Sequence, residues 1–116
     1  MADLFLSKAV DLTTTNVTTV YTVPTSDDSA VPKISPTTSI LKSIRVANDS
    51  GSADTITLTI TRGSAVFAIE TVKAVAANTA IEAFTQPMVL QEADIIKATA
   101  ATANRLHVIL SVMEIT

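Results

Sequence analysis

A chain of 116 residues fits one domain with one core, and with hydrophobic residues at 47% but aromatics at only 3%, that core must be built from Ala, Val, Ile and Leu. Charged residues are 16%, sparse for a soluble domain, and Ser and Thr take their place, as on the solvent side of β proteins. The net charge of −3 comes without the clustered Lys and Arg that a nucleic-acid partner requires, and the absence of cysteine excludes a disulfide framework and a cysteine-ligated metal.

The N-terminus, MADLFLSKAVDL, has neither the basic start nor the continuous apolar run of a signal peptide. No later apolar run approaches the roughly 20 residues needed to cross a bilayer, so the expectation is a protein made in the cytoplasm with no membrane partner. Within residues 2–12, Leu4, Leu6 and Val10 fall near one face and Phe5 on the other. Residues 1–15 therefore read as an edge strand or as an arm packing on a neighbouring subunit. Thr13-Thr14-Thr15-Asn16 breaks the pattern, and residues 17–23 read as a second strand, with Val17, Thr19 and Tyr21 on one side and Val20 on the other. Pro24 stops it, having no N–H for a ladder.

Residues 24–39, PTSDDSAVPKISPTTS, form a long loop with three prolines. Connections of this length tend to bind something, although a passive excursion held down by Val31 and Ile34 fits equally well. Asp27 and Asp28 fall far short of the oxygen ligands calcium needs.

Residues 40–60 carry the strongest pattern: Ile56, Leu58 and Ile60 alternate with Thr55, Thr57, Thr59 and Thr61, and Ile44 and Val46 precede them. With Asn48-Asp49-Ser50-Gly51-Ser52 between the two runs, the spacing predicts a hairpin. After a turn at 62–64, residues 65–73 read as a strand with apolar side chains on both sides, Val66, Ala68 and Val72 against Phe67 and Ile69. That predicts cover on both faces. Short strands follow at 80–84, 88–90 and 95–100, separated by turns at 76–79, 91–94 and 101–104. The last strand, 105–115, places Leu106, Val108, Leu110 and Val112 on one face and Ile109, Met113 and Ile115 on the other. An apolar back face predicts a second buried surface, supplied by a subunit interface, by the 24–39 loop or by the N-terminal strand. About eight short strands and little helix predict an all-β fold, an antiparallel β-sandwich of jelly-roll or immunoglobulin-like type spanning 1–116 as a single domain.

No catalytic centre emerges. His107, the only histidine, has no orienting or ligating neighbour in sequence, and no Ser or Thr has a partner that would activate it. Residues 48–54 lack the spacing of a calcium loop, and Glu70, Glu82, Glu92 and Asp94 are scattered singles. With Gly51 and Gly63 the only glycines, there is no phosphate-cradling loop. The expectation is no enzyme, no catalytic residue, no metal and no cofactor. Glycan binding on stacked aromatics is disfavoured by the lack of Trp and the single Tyr21. The contact candidates are Leu4, Phe5, Leu6, Val31, Ile34, Ile109, Met113 and Ile115.

At 17–24 (VTTVYTVP) and 40–58 (ILKSIRVANDSGSADTITL) the chain resembles small β-sandwich virion structural proteins of tailed bacteriophages, in which a Tyr-Thr-Val-Pro segment precedes a Lys-Ser-Ile-Arg strand, a turn rich in Asn, Ser and Gly, and a Thr/Leu-alternating strand. The run at 88–96 is similar to a later strand of such proteins closed by a Gly-Asp turn, with Ala93 standing in the glycine position. The 25–39 segment is longer than the turn expected there. The resemblance implies a non-enzymatic capsid decoration or cement protein of the virion. It further implies a homo-oligomer, a trimer by preference, contacting the major capsid protein or other virion proteins. A neck, tail or fibre subunit is the alternative, and a surface adhesion or carbohydrate-binding module stands further off.

Overall fold

The computed structural model describes residues 3–25, 38–84 and 87–115. Among them are nine strands and no helix: β1 (Asp3–Asp11), β2 (Thr18–Thr22), β3 (Thr38–Asn48), β4 (Asp54–Arg62), β5 (Ala65–Val75), β6 (Thr79–Phe84), β7 (Met88–Leu90), β8 (Ile95–Ala100) and β9 (Leu106–Ile115). They form two antiparallel sheets, β1-β9-β3-β6 with β7 also on β3, and β2-β8-β4-β5. Ile44 pairs with Phe84 and Leu41 with Met88, so β6 and β7 follow one another along the same side of β3 and share one place in the strand order. Counted so, the eight strands follow the order of a jelly roll. The expected antiparallel sandwich is present, and its strand order selects the jelly roll over the immunoglobulin-like alternative.

The inner faces are the alternating apolar positions. Leu41, Ile44 and Val46 of β3 and Leu106, Val108, Leu110 and Val112 of β9 meet Ile56, Leu58 and Ile60 of β4 and Ile96, Ala98 and Ala100 of β8, all buried. At about 25 cal/mol per Å² of apolar surface removed from water, this aliphatic layer is the main stabilising term.

Residues 40–60 are not a hairpin. β3 pairs with β9, β6 and β7, whereas β4 pairs with β5 and β8, so the chain crosses from one sheet to the other between them. Alternation specifies which face is buried but not which strand lies alongside, and two strands facing each other across a core have the same pattern as two neighbours. Asn48, buried at the crossing, holds the arch: its Nδ2 donates to Ser52 O (2.8 Å) and Val75 O (3.2 Å), and its Oδ1 accepts from the Ser50 N–H (2.9 Å) and hydroxyl (2.8 Å).

Two further expectations change. In β2 the register shifts between Thr19 and Tyr21, and this bulge turns Val20 and Tyr21 both inward while leaving Val17 exposed, so strict alternation fails there. β5 is not covered on both faces: it is an edge strand paired only with β4, with Val66, Phe67 and Val72 exposed. The strand β1 pairs with β9 of its own chain over its whole length, lying beside it rather than over its outer face. Val31 and Ile34 lie outside the described residues, and β3 begins at Thr38, inside the expected loop.

The β7–β8 turn is closed by the Asp94 N–H donating to Gln91 O (3.1 Å), with Ala93 at φ 69°, in the left-handed region where the resemblance places glycine. An L-residue is strained at this angle. Ala93→Gly is expected to raise the unfolding free energy by about 0.5–1 kcal/mol, after the added flexibility of the unfolded chain is subtracted. A urea midpoint that stays put or falls would contradict that turn geometry.

Candidate functional site

Because the inner positions of β1, β9, β3 and β7 are fixed by the core, the intervening residues line the outer face of one sheet in rows set by register. Phe5 pairs with Met113, Met113 with Ile40, and Ile40 with Val89, giving an apolar row across four strands. Phe5 is 70% and Val89 59% exposed, while Met113 and Ile40 are half-buried by their neighbours. Ile115 lies in the next row, opposite Asp3 and Thr38. On the other side come Ser7, Ser111 and Ser43, then Ala9, Ile109, Arg45 and Glu82, with Ile109 exposed. Arg45 Nη1 donates to Glu82 Oε1 at 3.2 Å, an exposed pair of small energetic worth. In the last row, Asp11, His107 and Ala47 align. His107 Nε2 is 3.3 Å from Asp49 Oδ2 and 3.9 Å from Asp11 Oδ1. These acidic neighbours come from β1 and the arch, so no spacing in the sequence reveals them.

Of the residues nominated from sequence, Phe5, Ile109, Met113 and Ile115 are brought together on this face. Leu6 pairs with Val112 and is half-buried toward the core side, and Leu4 stands opposite Glu114 in the register. Ile40 and Val89 were not nominated. Each is an ordinary apolar strand residue until the register sets it beside Met113.

A second feature lies at the seam between the free edges of β1 and β2. An open groove of about 450 Å³ is bounded by Leu6, Lys8, Thr19 and Val20, with Tyr21 and Glu114 among its lining. Tyr21 and Glu114 are both buried, and the Tyr21 hydroxyl donates to Glu114 Oε2. Having one proton to give, that hydroxyl accepts from Ser39 Oγ at 2.8 Å. The cluster joins β2 of one sheet to β3 and β9 of the other. Burial first, and then the bond to Glu114, pushes the Tyr21 hydroxyl above the ordinary tyrosine range.

At the hairpin joining β4 and β5, Arg62 makes a bidentate contact with Asp94, Nε to Oδ1 at 3.0 Å and Nη2 to Oδ2 at 2.7 Å. Asp94 Oδ2 also accepts the Gln91 N–H at 2.8 Å. The Arg62 bonds, aided by the Gln91 amide, hold the Asp94 carboxyl below the usual carboxylate range despite burial. Asp94 is thus a structural anchor for the β7–β8 turn, which the sequence could show only as an isolated acid. Among the described residues no group of three His, Cys, Asp or Glu side chains could hold a metal ion.

Neither the family models nor the curated proteins searched contain a match to this chain.

Tyr21→Phe would leave the Glu114 carboxylate buried without its phenolic donor, and is expected to cost about 1–3 kcal/mol at pH 7 by urea unfolding. The sign with pH is fixed by the raised hydroxyl value: the unfolded chain ionises first, so stability holds below about pH 10 and falls above it. The alkaline slope is expected to flatten in the Phe variant, and an unchanged slope would contradict the burial of Tyr21.

Proposed function

We propose that this chain is a non-enzymatic structural subunit of a tailed-phage virion, a capsid decoration or cement protein that stabilises the head shell through its outer sheet face. The observation that carries the reading is the row Phe5, Met113, Ile40 and Val89, flanked by Ile115 and Ile109. A sheet that faced only water would carry polar residues here, as β4 does with its outward Thr55, Thr57, Thr59 and Thr61. A flat apolar face of this kind suits stacking at the roughly 10 Å spacing of packed sheets, against a shell protein or another copy. The jelly-roll order and the resemblance at 17–24 and 40–58 support the same reading. Sugar recognition through the single tyrosine is disfavoured, because Tyr21 is spent in the interior.

The homo-oligomer, a trimer by preference, is part of the proposal and is read by native mass measurement. Quantitative mass spectrometry of purified particles is expected to find the chain at a copy number proportionate to the shell lattice. A few copies per particle would move it to the neck, tail or fibre, and a stable monomer missing from particles would overturn the virion reading. Phe5→Glu is expected to leave the unfolding free energy within about 0.5 kcal/mol of the parent, since that side chain is 70% exposed. The same substitution is expected to weaken attachment to particles by roughly tenfold or more.

A further inference from the structure

The strand β5 has the features of an edge that receives another strand. It is eleven residues long, contains no proline, and has β4 as its only neighbour in the sheet. Natural edges are blunted by charge, proline or bulges, and β5 is blunted along only half its length. Register shifts occur between Ile56 and Leu58 and between Leu58 and Thr59, placing extra β5 residues opposite β4 in the stretch 69–72. Val72 there has φ 49°, and its N–H is directed back to Thr57 Oγ1 of β4 at 3.1 Å. Lys73 follows.

Residues 65–68 have none of these devices. They pair in unbroken register with Arg62, Thr61, Ile60 and Thr59, are uncharged, and expose Val66 (64%) and Phe67 (54%) on opposite faces.

We propose that this half of β5 pairs antiparallel with the same segment of a second copy, about a two-fold axis at Phe67, joining two four-stranded sheets into one of eight. Three observations select a second copy in this register. About Phe67 the segment is self-complementary: Val66 meets Ala68 and Phe67 meets Phe67, an aromatic pair of the kind that stabilises neighbouring strands, with Ala65 facing Ile69 where the bulged stretch begins. Paired residues must share a face, and they do, because Val66 and Ala68 both stand opposite outward threonines, Thr61 and Thr59. Registers centred further along draw Glu70, Lys73 or the bulged stretch into the ladder. Finally, two copies of a chain of net charge −3 meet here without a charged residue in the ladder. The contact is shorter than the roughly 800 Å² per partner of a stable interface, so the pairing is concentration-dependent, and it stands apart from the virion reading.

The chain has no cysteine, which permits a direct test on the full-length protein. A pair on the two-fold axis lies within the Cα separation that a disulfide accepts. Phe67→Cys is expected to oxidise to a covalent dimer roughly tenfold or more faster than Val17→Cys, whose parent residue is exposed to a similar degree away from both this edge and the apolar row. Sedimentation of the unmodified chain is expected to show a dimer that grows with concentration and is lost in Phe67→Lys. Equal oxidation rates, faster oxidation of the residue-17 variant, or identical sedimentation of the parent and Phe67→Lys would each overturn the proposal.

Discussion

The pleat of the strand is the constraint on which this molecule depends. A core without large rings must be filled from both sheets by Leu, Ile, Val and Ala at every second position, and those positions are taken by Leu106, Val108, Leu110 and Val112 in β9 and by Ile56, Leu58 and Ile60 in β4. Once they point inward, Ile109, Met113 and Ile115 have no choice but to point outward. The outer positions of β4 are threonines. Those of β9 are largely apolar, and that difference between two equally well-buried strands is what gives one sheet a face suited to contact and the other a face suited to water.

Polar side chains act where the chain passes between sheets or turns sharply. Asn48 fills the arch between β3 and β4, Asp94 with Arg62 fixes the turn before β8, and Tyr21 with Ser39 and Glu114 bridges the sheets at the β1–β2 seam. Asp54 does similar work at the turn after β8, accepting the Thr102 N–H at 3.0 Å and the Thr55 N–H at 2.8 Å. Asn48, Asp94, Tyr21 and Asp54 are buried, and each satisfies backbone or side-chain donors that the aliphatic core cannot. The sandwich is therefore stabilised by an undirected apolar layer and specified by a few directed bonds at its crossings.

Much of this was legible in the sequence, for a physical reason that also marks where legibility stops. Burial alternates with period two, so the faces of β4 and β9, the strand positions and the turns at 76–79, 91–94 and 101–104 could be read directly. Pairing has no such periodic signal. The hairpin expected at 40–60 is a crossing, and the row from Phe5 to Val89 exists only once β1, β9, β3 and β7 are set side by side. Bulges were equally invisible: one puts Val20 and Tyr21 on the same side, and two others divide β5 into a blunted half and an open half. An apolar strand such as 65–73 reads as doubly covered because sequence cannot separate a strand buried by its own chain from one left open at an edge.

The central claim is that the outer face of the β1-β9-β3 sheet is the surface that meets the assembled particle. Hydroxyl-radical footprinting of the free subunit and of the same chain on purified particles reads it directly, since Met113 and Phe5 are both oxidisable side chains on that face. The account predicts that both label in the free subunit and are protected on the particle. Equal labelling of Met113 and Phe5 in the two states, with protection arising elsewhere on the chain, would contradict it.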